Sequence, residues 1–561
     1  MRIPYGVSNF KVVISEGYTY VDKTAYIAEL ETAGRYQVLL RPRRFGKSLF
    51  ISMLEYYYDV AYLDEFTALF GKLAIGRNPT PMHNAYHVLF LDFSGIATGG
   101  GHDAIYRAFN TKLNVALQVF LGRYGYDPQC LQDVLRVTSP HEKMEYFFGV
   151  TQQHKILLLI DEYDHFANAL LAEDQTLFQS TMRKGGFVRS FYETLKAATQ
   201  RGTLDRLFIT GVTPLMLDSL TSGFNIAQNL SLQRNFNAAM GFTQVETQAL
   251  LQPLVARCQL DAAALMADVT RWYNGYRFHA EVTETVYNSD MVLYFIQQFD
   301  LEGCRYPKRM LDDNIASDYG KIMALFNIGD PDANQQVLHD LINVGEVVAQ
   351  QRRKFELDKG FDRDDFISLL AYMGFVALQG ETLSGEIFAI PNHVIEELYF
   401  QYFKVELEQR NQIRIANRPL GLAIEALALQ NNMQPLAHEM SQVLQQLSNR
   451  DALRMDEKHI KTLLLTLLYQ FPVYFIQSER EMNRRYPDIL LLERSPYAVN
   501  HQHLIELKYS KKGDKDWDAK RAEGVAQVQG YLQLPEIAVL AKLSAWLLLT
   551  DGERLEVVQL N

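Results

Sequence analysis

Residues 36–51 read YQVLLRPRRFGKSLFI, and the fold of the N-terminal half turns on how they are taken. The run Tyr36–Leu40 has the near-continuous hydrophobicity of a strand covered on both faces. The segment SLFISMLEYYY that follows carries apolar residues at helical spacing. Between them lies a turn ending in Gly46-Lys47-Ser48. Strand, tight turn and helix in that order make a phosphate cradle, because backbone N–H groups and the positive end of a helix then face the anion. The lysine neutralises the β- and γ-phosphates, and the hydroxyl serves Mg²⁺. Arg41 stands where such a loop ordinarily begins with glycine, although Pro42 can still set a turn through its fixed φ. Taken alone, the stretch also reads as an exposed basic loop ahead of a helix.

Working outward, the apolar runs His87–Phe93, Ile156–Ile160 and Leu207–Thr210 alternate with helical stretches such as GHDAIYRAFNTKLNVALQVFL. That alternation predicts an α/β fold with a parallel sheet flanked by helices. KILLLIDEYDHFANAL places Asp161 and Glu162 at the end of one strand. Burial accounts for the apolar run but not for a carboxylate pair at its edge. Asp161 is placed to hold Mg²⁺, directly or through water, and Glu162 to polarise an attacking water. RLFITGVTP ends a further strand in Thr210, a polar group able to sense a γ-phosphate. Lys47 and Ser48, Asp161 and Glu162, and Thr210, all delivered to one sheet edge, describe an ATP site.

The bulk properties restrict the alternatives. A chain of 561 residues exceeds one hydrophobic core. The net charge of −11 excludes a protein that coats nucleic acid with its whole surface, so such contact needs a local basic patch. Cys130, Cys258 and Cys304 lack metal-ligand spacing, which excludes a zinc finger or a disulfide framework and fits a reducing compartment. The start, MRIPYGVSNFKVV, has no signal-peptide core, and no apolar run approaches the roughly 18 residues of a membrane helix. These features predict a soluble, cytoplasmic protein without membrane contact.

Residues 1–241 are thus expected to form the phosphate-loop domain, 242–300 a helical lid, 301–450 a helical linker region and 451–561 a small α/β domain. In that last part, RRYPDILLLERSPYAVNHQHLIELKYSKKG sets Asp488 at the start of one strand and Glu506-Leu507-Lys508 within another. Residues i and i+2 of a strand share a face, so Glu506 and Lys508 project together, and Asp488 joins them if the strands pair. Two carboxylates offer hard oxygen ligands to Mg²⁺ or Mn²⁺. The competing reading is a hairpin with a wet polar face. Gln527 and Tyr531 lie at i and i+4 on the following helix. The basic residues Arg484, Arg485, Lys508, Lys511, Lys512, Lys515, Lys520 and Arg521 surround these groups, interleaved with aspartates, and could track phosphates without reading bases.

Residues 3–300 resemble the bacterial AAA-ATPase-like family whose members usually carry a nuclease domain behind the ATPase. The stretches concerned are IPYGVSNF, YTYVDKTAYI, RPRRFGKSLF, VLFLDFSG, LLIDEYD, ITGVTPL, GFT before Glu246, WYNGYRF and VYNSDMVLYF. The resemblance implies that Arg41 departs from the general loop but not from the family's. It further implies that Arg43, Arg44, Phe45, Gly46, Lys47 and Ser48 belong to the ATP site or its border. For Arg43 and Arg44, residue type alone allows phosphate contact or solvated charge. The role of Asp22 and Lys23 stays open, and Trp272, Tyr273, Tyr276 and Phe278 read as core. Residues 451–561 resemble the PD-(D/E)XK nuclease superfamily, with Asp488, Glu506 and Lys508 on its acidic-pair-plus-lysine core. That resemblance makes Gln527 the trailing glutamine and Glu457 the metal-side acid of the leading helix, with Asp456 adjacent and Glu479 a further candidate.

The reading that follows is an ATP-regulated, Mg²⁺- or Mn²⁺-dependent nuclease acting on nucleic acid, with DNA favoured. By analogy it would serve defence or mobile-element control. The alternative is an ATP-dependent switch or scaffold whose nuclease-like domain only binds nucleic acid or a partner. A third is a motor, which calls for a homo-oligomer and an arginine donated by a neighbour, with Arg201, Arg206 and Arg234 as candidates.

Overall fold

The computed structural model describes all 561 residues except 183–185, 217–225, 320–324, 356–359, 452–454, 479–486 and 512–515. Strands β1 (Tyr36–Leu40), β2 (His87–Asp92), β3 (Ile156–Asp161), β4 (Leu204–Gly211) and β5 (Gln228–Asn229) form one parallel sheet in the order β2-β3-β4-β1-β5. Every residue of β3 and β4 is buried, as parallel strands with helices on both faces must be. Each fully buried leucine or isoleucine there contributes about 1.5–3 kcal/mol. Because β4 lies between β1 and β3, the loop after β1 and the acids after β3 meet at one edge of the sheet. The register sets Asp92 beside Asp161 and Leu39 beside Thr210.

Helix α1 (Lys47–Tyr58) starts directly after the loop, with Gly46 at φ 86° as its N-cap. This left-handed conformation suits glycine. Helix α2 (Gln244–Cys258) opens with a capping box between Thr243 and Glu246. Helix α3 (Ser289–Gln298) follows WYNGYRF, whose Trp272, Tyr273 and Tyr276 are buried.

The chain divides into two compact units, Met1–Gln297 with Leu311–His393, and Gln298–Met310 with Val394–Asn561. The middle of the chain is largely helical, with helices at Pro331–Asn343, Arg363–Met373, His393–Asn411, Asn417–Gln430 and Gln434–Asp451. It also holds an antiparallel sheet absent from the sequence reading, β6 (Glu346–Ala349), β7 (Ala377–Thr382) and β8 (Gly385–Ala389), in the order β6-β8-β7. These strands are four to six residues long and partly polar, so neither length nor alternation marks them.

In the second unit, helix α4 (Glu457–Leu468) precedes β9 (Tyr474–Ser478), β10 (Ile489–Glu493) and β11 (Gln502–Tyr509). Helix α5 (Trp517–Leu532) then crosses over to β12 (Leu543–Thr550) and β13 (Leu555–Gln559). The sheet order is β13-β12-β11-β10-β9; β11 and β12 run parallel and the other pairs antiparallel. Val528, Tyr531 and Leu534 pack on Leu490, Leu504 and Ala545, so Tyr531 is a core residue. The β12–β13 turn sits at Asp551-Gly552, with Gly552 at φ 94°. Among the described residues no helix is long and apolar enough to cross a membrane.

Candidate functional site

The loop after β1 borders an open cleft of about 740 Å³, lined by Arg43 to Ser48, Asp92, Asp161, Glu162 and His165. Among the described residues the backbone N–H groups of Phe45, Gly46, Lys47 and Ser48 meet no protein acceptor. Such a run of donors at a helix N-terminus suits a polyanion.

Arg41 explains the missing glycine. Its side chain is fully buried, donates to the carbonyls of Leu40, Ser231 and Phe236, and lies 3.9 Å from the Phe278 ring centre. Burial pushes its guanidinium down to about 9 against the pull of Tyr26 and Tyr372. Arg41 therefore fastens β1 to the segments beside it and stays out of the cleft. Phe45 is corrected in the same sense. Its ring packs edge-on against Tyr276 and Phe278, 5.0 and 5.8 Å between centres, which leaves only its backbone for a ligand.

Lys47 Nζ donates to Pro42 O at 3.1 Å and lies 4.0 Å from Glu162 Oε1. The Ser48 hydroxyl favours the charged form of Asp161. Burial pushes Asp161 up to about 6, with Glu162 and Asp92 adding to it and Ser48 opposing. Glu162 behaves differently. Burial works against its charge, but His165, Lys47 and Arg43 outweigh it and bring the carboxyl down to about 2. Its backbone holds φ 52°, and its N–H donates to Asp161 Oδ1 at 2.9 Å. A left-handed glutamate is a strained arrangement of the kind found at functional sites.

Asp164 accepts from Val212 N, from Thr213 N and Oγ1, and from Asn168 Nδ2. It thereby locks the end of β3 to the end of β4. Thr210 is not brought to the cleft. It is fully buried, and its hydroxyl donates to Leu39 O at 2.9 Å, so the γ-phosphate role expected for it is overturned. Arg206 is likewise turned inward, onto Gly34 O and Glu31 O. Asp92 and His165 were missed, although Asp92 ends β2 and His165 stands four residues beyond β3, both strands already recognised. Lys23 is a buried clamp, 2.7 Å from Glu246 and 3.0 Å from Ala238 O, while Asp22 caps Thr24 and accepts from Ala74 N.

In the second unit the structure brings Asp488, Glu506, Lys508 and Glu457 together. Lys508 Nζ donates to Glu506 Oε1 at 2.9 Å and to Glu457 Oε1 at 3.3 Å. Asp488 Oδ2 accepts from Leu507 N at 2.8 Å, which fixes it at the start of β10 against β11. Glu506 and Lys508 are buried, so the wet-hairpin reading is set aside. Burial and the neighbouring Asp488 push Glu506 up to about 8, and burial also raises Asp488. For Lys508 burial works downward, but Glu506, Glu457 and Asp488 together hold it protonated, well above the usual lysine range.

Among the described residues, Glu506 Oε2 and Gln527 Oε1 are buried and meet no hydrogen-bond partner. Such orphaned acceptors are costly unless a ligand or water completes them. Asp456 is occupied in capping His459 N at 3.0 Å, so Glu457 is the acid that reaches the cluster. Gly524 permits the close approach of α5, since a Cβ there would lie 2.5 Å from Leu547 and 3.1 Å from Lys508 Cγ. No sequence signal marked that glycine.

The basic patch does not assemble among the described residues. Lys508 is buried in the cluster, Lys520 pairs with Glu523 at 3.1 Å and Arg521 with Glu556 at 2.8 Å, leaving Lys511 exposed. Arg484, Arg485, Lys512, Lys515 and Glu479 lie outside the described residues.

Comparison with known proteins matches residues 4–221 to the family described as "Predicted AAA-ATPase", and residues 455–559 to the PD-(D/E)XK nuclease superfamily. An uncharacterised protein of the vnfD 5′ region of Azotobacter chroococcum mcd 1 is 27% identical over 303 residues, 52% of each chain. The chain thus spans about half the length of that relative. The Walker-type ATPase PABY2304 of Pyrococcus abyssi superposes with a TM-score of 0.37 at 12% identity, covering 67% of this chain and 94% of that one.

Proposed function

From a chain that carries an AAA-ATPase-like domain followed by a PD-(D/E)XK nuclease-superfamily domain, we propose an ATP-binding and ATP-hydrolysing protein whose second domain cuts nucleic-acid phosphodiesters. The observation that carries this reading is the cluster of Asp488, Glu506, Lys508 and Glu457 around an orphaned carboxylate oxygen.

Phosphates would rest on the N–H groups of Phe45 to Ser48, with Lys47 neutralising them. Ser48 and Asp161 would hold Mg²⁺, and the ionised Glu162 would polarise water. In the second domain Asp488 and Glu506 would hold Mg²⁺ or Mn²⁺, with Glu457 and water beside them. Among the described residues no three acidic, histidine or cysteine side chains form a ready metal cage. Such an ion, when bound, lowers the pKa of its water and offsets charge on the phosphodiester. Lys508, held protonated, stabilises the charge that develops on the phosphate. Gln527 offers an acceptor that orients water. DNA is the favoured substrate, the cytoplasm the expected location and a homo-oligomer the expected assembly, with defence or mobile-element control as the role that the family analogy suggests.

The test is incubation with double-stranded DNA, single-stranded DNA and RNA, with Mg²⁺ or Mn²⁺, with and without ATP. Metal-dependent cutting that disappears in Asp488→Ala is expected. Cutting that survives that substitution would sink the site, and binding without cutting would leave the switch or scaffold.

A further inference from the structure

The segment VYNSDMVLYF has no part in the chemistry above, yet it packs directly against the phosphate loop, with Ser289 and Asp290 at the border of the cleft. Four consecutive loop carbonyls find donors, among them residues that border the cleft, such as Lys47, Gly241, Ser289 and Asp290. Pro42 O takes Lys47 Nζ at 3.1 Å, and Arg43 O takes Asn288 Nδ2 at 3.3 Å. Arg44 O takes both Ser289 Oγ at 3.1 Å and Asp290 N at 3.2 Å, and Phe45 O takes Gly241 N at 3.1 Å. Arg44 holds φ 69°, a left-handed conformation unusual outside glycine, and its guanidinium meets Asp290 Oδ2 at 3.3 Å.

Exchange of needs explains the arrangement. The first N–H groups of a helix lack partners inside it, and a loop whose N–H groups face an anion turns its carbonyls outward. Asn288 caps α3 through Oδ1 to Met291 N at 3.3 Å, which leaves its amide nitrogen for Arg43 O. Asp290 N, an orphan of α3, supplies Arg44 O. Each element satisfies the other.

We propose that Asn288, Ser289 and Asp290 are positioning residues that hold the phosphate loop in its anion-accepting conformation by fixing the carbonyls of Arg43 and Arg44 and the left-handed turn at Arg44. This rests on the ATP reading of the cleft. It adds that ATP affinity depends on side chains some 240 residues along the chain from the loop (290 − 44 = 246), through the contacts they make with it.

The test is titration of the full chain with a fluorescent ATP analogue and Mg²⁺, with melting temperature followed in parallel. Lys47→Ala reports the ATP reading itself. Ser289→Ala is expected to weaken affinity about threefold through loss of one neutral hydrogen bond, and Asp290→Ala about tenfold through loss of the charged pair with Arg44, the backbone N–H of residue 290 being kept. Ser289→Thr, which keeps the hydroxyl, should restore affinity. A merely structural role would lower the melting temperature of Ser289→Ala with the affinity unchanged. Wild-type affinity in both Ser289→Ala and Asp290→Ala, with Lys47→Ala defective, overturns the proposal and leaves the ATP site standing. Failure of the unaltered protein to bind the analogue removes both.

Discussion

Each unit sets a lysine among carboxylates at a parallel strand, and the glutamate beside each lysine settles its charge in the opposite way. In the first, Lys47 rests on a loop carbonyl and stands 4.0 Å from Glu162, beside an open cleft. Glu162 stays ionised, brought down to about 2. In the second, Lys508 is clamped 2.9 Å from Glu506, and two buried carboxyls crowd each other. Glu506 is pushed up to about 8. Around Glu162, His165, Lys47 and Arg43 outweigh burial and keep the acid ionised. Burial beside a like charge makes an acid hold its proton until a cation arrives.

The strongest way to break this contrast is Lys508→Ala. It removes the cation proposed to face the phosphodiester and strands Glu506, so on that proposal the cutting rate should fall by about 10²–10³-fold. Single-turnover cleavage of labelled DNA measures it, with ATP binding unaltered. Next is Glu162→Gln, expected to slow ATP hydrolysis by about 10²-fold while ATP still binds. Undiminished phosphate release would remove Glu162 from its role.

A smaller effect concerns pH, and the two acids should respond in opposite senses. Glu506 lies above its ordinary value of 4.5, so the metal-free domain loses stability as pH rises from about 4.5 to about 8. The slope from this group is at most about 1.4 kcal/mol per pH unit. Mn²⁺ must displace that proton, so its affinity should rise with pH and level near 8. Calorimetry in two buffers of different ionisation enthalpy would show the proton release. Glu162, depressed to about 2, contributes fully above 4.5 and loses its contribution only as pH falls toward 2. The smallest effect is Thr210→Val, costing about 1 kcal/mol of stability for one hydrogen bond. ATP affinity should not change; a loss would return Thr210 to the nucleotide site.

What could be read in advance followed from local rules. Apolar runs marked β1 to β4, and Asp161-Glu162 stood out because burial does not ask for acids at a strand end. Period-two spacing put Glu506 and Lys508 on one face, and Asp488 joined them once β10 and β11 paired. The rest depended on where distant segments meet. Arg41 reads as a loop cation, yet three carbonyls and a phenyl ring take it inside. Thr210 stands at the right strand end, but which way its hydroxyl turns is settled by Leu39 on the neighbouring strand. Gly524 matters only because α5 crosses there.

The pairing of β11 with β12 carries a consequence of its own. Eight residues align in parallel, Gln502 opposite Leu543 through Tyr509 opposite Thr550. Were that frame to shear by a single position, the side chains of Glu506 and Lys508 would swing to the sheet's opposite side and Leu507 would take their place. Chemistry in this domain is therefore a property of alignment, and eight rungs of ladder keep the count.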